Sequence, residues 1–240
     1  MCLRKLIGFG GITLQSKKSQ QVLTPLQKES LNIFFSLPEA NNFYLTGGTA
    51  LAAFYLQHRL SEDLDIFTRE ERLIRYVGDQ FIEKLKEANF QVETVRRFLS
   101  FLELIIKKES QSVRVHLALD SPFRFKGTIR TDAGVEVDSL VDIATNKLLA
   151  LFGRFEPRDF IDVFFVVKEK HLDLDALISK SKEKDPGLDE YYLAVAFEKA
   201  NEFPDSAEKM PVNMLKPLDM RELKSFFSEY AVQLLKKARQ

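Results

Sequence analysis

The sequence predicts an α+β fold, with a β-sheet in the first part of the chain and a helical C-terminal part. Three observations carry this. Segments rich in β-forming residues crowd the first half, above all 91–95, 98–106 and 113–119. Segments with helical spacing crowd the second half, and the two kinds form separate runs rather than alternating. The 240 residues are 45% hydrophobic and 29% charged, an ordinary globular balance without an internal repeat.

The elements follow in order. Residues 1–22 are expected to be loosely structured, 23–170 to form the core and 171–240 a helical region. Thr24, Pro25 and Gln27 form a capping box with proline in the first turn, opening a helix to about Leu37. Asn41-Asn42 make a turn, and 43–46 read as a strand running into Gly47-Gly48. Thr49 is placed to cap the next helix, in which Leu51, Phe54 and Tyr55 recur at helical spacing.

Residues 63–67 read as a short strand, with Asp63 and Asp65 on one face and Leu64 and Ile66 on the other. A helix over about 70–88 stops at Asn89. The three β-rich segments then read as a meander. A further short strand is expected within 135–140, after which Ser139 and Asp142 open a helix to about Phe155. Pro157 starts another, and helices are expected at 173–184, 188–202 and 219–238.

Composition narrows the function. Acidic and basic residues balance at 35 each, so no global charge draws the chain to nucleic acid. Arg96-Arg97, Lys107-Lys108 and Lys236-Lys237 read as solvated faces. The lone cysteine, Cys2, can form no internal disulfide, which fits a reducing compartment. No stretch approaches about 18 apolar residues, so no membrane span is expected. The N-terminus carries no convincing signal-peptide core, and the expected location is cytoplasmic.

The chemistry concentrates between residues 43 and 67. Backbone N–H groups at a glycine turn can cradle phosphate, because no side chain blocks close approach. Asp63 and Asp65 would repel each other unpaired, and a divalent cation between them resolves the repulsion. The alternative is a strand edge with two solvated acids. Further along, Lys147 and Arg154 lie seven apart on a helix that is apolar almost all round, so they need an anionic partner. A triphosphate would serve, and so would Asp159 and Asp162 on the next helix. Arg158 and Asp162 are spaced for an i,i+4 pair.

Gly47-Gly48-Thr49-Ala50-Leu51, then His58-Arg59-x-Ser61-x-Asp63-Leu64-Asp65, closely resembles the AbiEii/AbiGii toxin family of nucleotidyltransferases, within the polymerase-β-like superfamily. A second block resembles the family's downstream signature: Asp142-Ile143-Ala144-Thr145-Asn146-Lys147-Leu148-Leu149-Ala150, Arg154, then Arg158-Asp159-Phe160-Ile161-Asp162. The resemblance spans about residues 40–167. It implies a mixed β-sheet nucleotidyltransferase core. Gly47, Gly48 and Thr49 would grip the NTP phosphates, with Ser61, Lys147 and Arg154 also at the nucleotide. Asp63 and Asp65 would bind Mg²⁺ or Mn²⁺, and Asp159 would be a catalytic candidate. Arg59 would orient the metal-binding loop.

The superfamily usually supplies a third carboxylate from a central strand, here expected over 113–120. Positions 114, 116, 118 and 120 share a face, and only Asp120 is acidic. Asp120 is therefore the candidate third metal ligand or base. His116 stands where a carboxylate is common, and is a candidate base at neutral pH.

The resemblance further implies the toxin of a toxin–antitoxin or phage-defence system. An NMP would pass from an NTP to a hydroxyl of RNA, such as tRNA, or of protein, with a cognate antitoxin as partner. Two other readings stay open: a catalytically degenerate domain that binds nucleotide or a protein partner, and an interaction protein whose helical part docks another chain.

Overall fold

The computed structural model describes residues 22–170 and 172–237. The expected loosely structured segment therefore lies, apart from Val22, outside the described residues.

Helix α1 (Pro25–Phe35) opens as its capping box requires: Thr24 accepts from the Gln27 N–H at 3.1 Å, and the Gln27 side chain accepts from the Thr24 N–H at 2.9 Å. Strand β1 (Phe43–Thr46) runs into helix α2, which begins at Gly47–Ala50 and widens into π-helical turns over Leu51–Leu56. Gln57 ends it in the left-handed conformation, φ 55°. Strand β2 (Asp63–Thr68) and helix α3 (Glu71–Glu87) follow. The meander is β3 (Gln91–Arg97), β4 (Phe101–Lys108) and β5 (Gln111–Leu119).

Two short strands come next, β6 (Ile129–Arg130) and β7 (Glu136–Val137). The first of them carried no sequence signal. The helical part comprises α4 (Leu140–Gly153), α5 (Pro157–Lys170), α6 (Leu174–Lys184), α7 (Glu190–Glu198) and α8 (Met220–Lys237).

The chain is α+β. Its sheet has seven strands in the order β3-β4-β5-β2-β1-β7-β6. It is mixed: β2 runs parallel to β5 and β1 parallel to β7, while the other neighbours are antiparallel. One face is the core. Leu64 and Ile66 of β2, Leu102, Leu104 and Ile106 of β4, and Val113, Val115 and Leu117 of β5 are all buried there. Helices α1 and α3 cover this face, with Phe34 edge-on to Phe81 at 5.1 Å and to Phe43 at 5.4 Å. The helical part closes around a second aromatic group, in which Phe160 and Phe197 both meet Phe227 at 5.1 and 5.2 Å. Strand alternation turns Asp63, Asp65, Phe67, Arg114, His116 and Ala118 to the opposite face of the sheet, which α4 approaches.

Candidate active site

The site starts from the register of β1 on β2. Thr46 stands opposite Asp65, and the chain then turns at Gly47 with φ +69°. A Cβ on Gly47 would overlap Asp65 Oδ2, and one on Gly48 would lie 2.6 Å from Arg59 Nη2 and 3.0 Å from Ser61 Oγ. Gly47 is therefore demanded by the turn as well as by packing, and Gly48 by packing alone. No side-chain hydrogen bond caps the first turn of α2. Thr46, at the cap position, gives its hydroxyl to Asp138 instead, at 2.7 Å.

Thr49 departs from expectation. It sits inside the helix rather than capping it, is buried, and donates its hydroxyl to the Asp63 carbonyl. It does not line the cleft. Its side chain ties α2 to the strand that carries the acids.

The loop between α2 and β2 is pinned from three sides. Gln27 donates its amide to the Ser61 carbonyl at 2.8 Å and the Glu62 carbonyl at 3.2 Å. Leu60 N–H bonds Asn213 O, and Leu215 N–H bonds His58 O, both at 2.8 Å. Arg59 grips Asp162 bidentately, Nε at 2.7 Å and Nη2 at 2.8 Å.

Asp162 is the hub of a buried network. His58 Nε2 lies 2.7 Å and Lys147 Nζ 2.8 Å from its carboxylate, which is fully buried. Burial acts to raise the Asp162 pKa, but Lys147, Arg59 and the hydrogen bonds from Arg59 and His58 outweigh it and hold the carboxyl well below its usual range. Burial also lowers the His58 pKa, more than Asp162 raises it. Neutral His58 then donates from Nε2, which agrees with its unpartnered Nδ1.

This overturns two expectations. Arg158 does not pair with Asp162, whose two oxygens are taken by other cations. It approaches Glu156 at 3.9 Å and lines the cleft. Asp159, by contrast, does not line the cleft. Completely buried, it accepts from Lys147 at 2.9 Å and Arg154 at 2.8 Å. A carboxylate held between two cations and outside the cleft lining anchors α4 on α5.

A cleft of about 460 Å³ lies between the open sheet face and α4. It brings together Gly47, Gly48, Ser61, Asp63, Asp65, His116, Asp120, Lys147 and Arg154 of the sequence candidates. Burial, and then the charge of Asp65, raises the Asp63 pKa. His116 faces Asp65 in register, with Nδ1 2.9 Å from its Oδ1. That hydrogen bond, ahead of the opposing effect of burial, raises the His116 pKa.

Asp120 is elsewhere. It follows the end of β5, four residues beyond His116, which is about 13 Å along the strand. Asp120 therefore cannot stand as a third ligand beside Asp63 and Asp65. The residue at that level is His116. Behind His116, on β4, lies Glu103, its register partner, with Oε1 3.9 Å from His116 Nε2. Glu103 was not singled out from the sequence, although a lone acid in the apolar run Phe101-Leu102-Glu103-Leu104-Ile105 was a visible signal.

The donor set suits a hard cation. Two carboxylates supply oxygen ligands, and the described residues contain no group of three or more His, Cys, Asp or Glu arranged to hold a metal. Mg²⁺ is commonly bound this way, by one or two carboxylates completed with water and substrate phosphate.

The family model described as the nucleotidyl transferase AbiEii toxin of type IV toxin–antitoxin systems matches residues 32–234. The chain belongs to this family. An uncharacterized protein of Aquifex aeolicus, aq_aa25, is 32% identical over 164 residues, 68% of this AbiEii-family chain and 76% of that protein. The solved structure of JHP933 from Helicobacter pylori is similar in fold, with a TM-score of 0.58 at 20% identity and 94% of each chain covered. No helix among the described residues is long and apolar enough to cross a membrane.

Proposed function

We propose that this AbiEii-family protein is a metal-dependent nucleotidyltransferase that moves an NMP from an NTP to an acceptor hydroxyl, as the toxin of a toxin–antitoxin or phage-defence system in the cytoplasm. The observation that carries this is Asp65 packed directly on Gly47, with Asp63, Lys147, Arg154 and Arg158 lining the same cleft.

The backbone N–H groups of Gly47 and Gly48, uncapped by any side chain, receive the β- and γ-phosphates. Lys147 spends two of its three N–H donors on Asp159 and Asp162 and keeps one for phosphate. Arg154 is tethered through Nε to Asp159, which leaves its two Nη groups for the triphosphate. Arg158 adds a further positive charge on the same wall. Asp63 and Asp65 would hold Mg²⁺ or Mn²⁺, which would supply charge neutralisation at the transferring phosphoryl group.

The acceptor hydroxyl attacks the α-phosphorus in line. The new P–O bond forms as the bond to the β-phosphate oxygen breaks, and pyrophosphate departs. His116, hydrogen-bonded to Asp65, would take the hydroxyl proton. The acceptor is RNA, such as tRNA, or protein, and a cognate antitoxin is the expected partner.

The second reading, a degenerate domain that binds nucleotide without chemistry, draws on one observation: a histidine stands at the level where the superfamily has a carboxylate. Calorimetric titration with Mg²⁺ and each NTP, followed by assay of pyrophosphate release with RNA and protein acceptors, separates the two. Binding lost in Asp63→Ala, together with release, supports transfer. Binding without release supports the degenerate domain, and no binding in the wild type removes both.

A further inference from the structure

We infer that the open face of β3, β4 and β5 is the surface on which the acceptor lies, and that Arg96, Arg114 and Phe101 shape it for a single-stranded polynucleotide. The inference rests on the nucleotidyl-transfer reading above and adds to it the acceptor's route to the site and the side chains that hold it.

In-line attack sets the side of approach. With the triphosphate on the Gly47-Gly48 turn and the Lys147 wall, the attacking hydroxyl enters from the opposite side, over His116 and β5. There the sheet face continues beyond the cleft. A groove of about 350 Å³, lined by Asp63, Ile105, Ser112 and Arg114 among others, leads onto it, and Asp63 lines both cavities. Helices α1 and α3 cover the other face of the sheet. On this one, Arg96 and Arg114 are 57% and 49% exposed.

Glu103 organises the face. Its side chain is 2% exposed and lies beneath both arginines, accepting from Arg96 Nε at 2.5 Å and standing 3.3 Å from Arg114 Nη1. One buried negative charge thus orients two guanidiniums, and each keeps further donors for a phosphate. The lone acid in the apolar run of β4 has this consequence: the arginines are held in place and a positive charge is left over. Lys107 adds no surplus, because Glu93 beside it, at 3.6 Å, offsets it.

Flat rings lie next to the guanidiniums. Phe101, partly exposed on the same face, has Arg96 5.5 Å from its ring centre on the β3 side. On the β5 side the His116 ring lies 5.6 Å away, tilted by 31°. The row Arg96, Phe101, His116 runs toward Asp65, and the turn between β3 and β4 exposes Phe98 and Leu99 beyond it. Fixed cations beside aromatic rings suit alternating phosphates and bases, the way single strands are held without reading of sequence. A duplex hides the faces of its bases, and an unmodified peptide carries no phosphate.

The test is binding of the full chain to a labelled single-stranded RNA oligonucleotide and to its duplex form, over a range of salt, with Mg²⁺–NTP binding measured alongside. The single strand should bind more tightly than the duplex, with log K falling against log salt at a slope of about −0.7 for each phosphate neutralised. Arg96→Ala and Arg114→Ala should each weaken binding and reduce that slope by about 0.7. Phe101→Leu should weaken binding about tenfold with the slope unchanged. Glu103→Gln makes the face more positive, so attraction by net charge alone would tighten binding. Loss of the anchor for the two arginines predicts binding about threefold weaker instead. NTP affinity should stay at the wild-type level in all four variants. Should Glu103→Gln fail to fold, the two alanine variants, at exposed side chains, carry the test. A wild type that binds NTP but no RNA would overturn the inference and leave the transfer reading standing. So would alanine variants with wild-type RNA affinity and slope, or label passed only to protein and equally well by those variants. A wild type that binds no NTP would instead remove the transfer reading itself.

Discussion

A side chain on Gly47 would occupy the space of Asp65 Oδ2. The glycine turn and strand β2 are thus in van der Waals contact, and the backbone at Gly47 is left-handed besides. Gly47→Ala should destabilise the fold by about 1–2 kcal/mol through φ alone and displace the Asp65 carboxylate further. Urea unfolding and Mn²⁺ binding measure the two effects. Unchanged Mn²⁺ affinity in a folded variant would show that the contact does not position Asp65.

Asp162 compensates three buried groups, Arg59, Lys147 and His58. Asp162→Ala should cost about 3–5 kcal/mol, because it leaves the buried Arg59 guanidinium without its ion-pair partner. Arg154, half exposed, should cost little stability when replaced by alanine and should weaken triphosphate binding instead. Denaturation midpoints for the pair make the comparison. Equal losses would mean that the buried network carries no special share.

Acid should weaken the fold through His58. Its folded pKa lies below the unfolded value of about 6.5, so the unfolded chain binds the proton more readily and stability falls as pH drops below about 6.5. Asp162, depressed below about 3.9, adds a loss of the same sign at lower pH. His116 and Asp63 are shifted upward and work the other way. The difference between wild type and His58→Gln isolates the histidine. The wild type should lose more stability than the variant between pH 7.5 and pH 5, as read from urea midpoints; parallel curves would contradict the assignment.

Thr49 supplies a negative control. Thr49→Val removes the hydrogen bond to the Asp63 carbonyl and should cost about 1 kcal/mol, with triphosphate affinity preserved because the side chain faces away from the cleft. A large loss of affinity at unchanged stability would return Thr49 to the phosphate site.

Much of this was legible in the sequence because it is local. The Thr24 and Ser139 caps, the alternation of Asp63 and Asp65 with Leu64 and Ile66, and the glycine turn are set by neighbours within a few residues. What was not legible depends on register. Asp120 shares a strand face with His116, and spacing alone could not show that β2 pairs with β5 so as to place His116, not Asp120, at Asp65. Asp162 looked like the partner of Arg158 because i,i+4 spacing is visible, whereas the Arg59 that binds it lies 103 residues away in sequence. Glu103 stands out in the sequence as a lone acid in an apolar run, but its place beside His116 follows only from the pairing of β4 with β5.

The most direct test of transfer is incubation with labelled NTPs and total cellular RNA and protein, comparing wild type with Asp65→Ala. Nucleotidyl transfer predicts label covalently attached to one acceptor class with pyrophosphate released by the wild type, and neither by the variant. Equal labelling by both proteins, or none by a wild type shown to bind NTP, would contradict it.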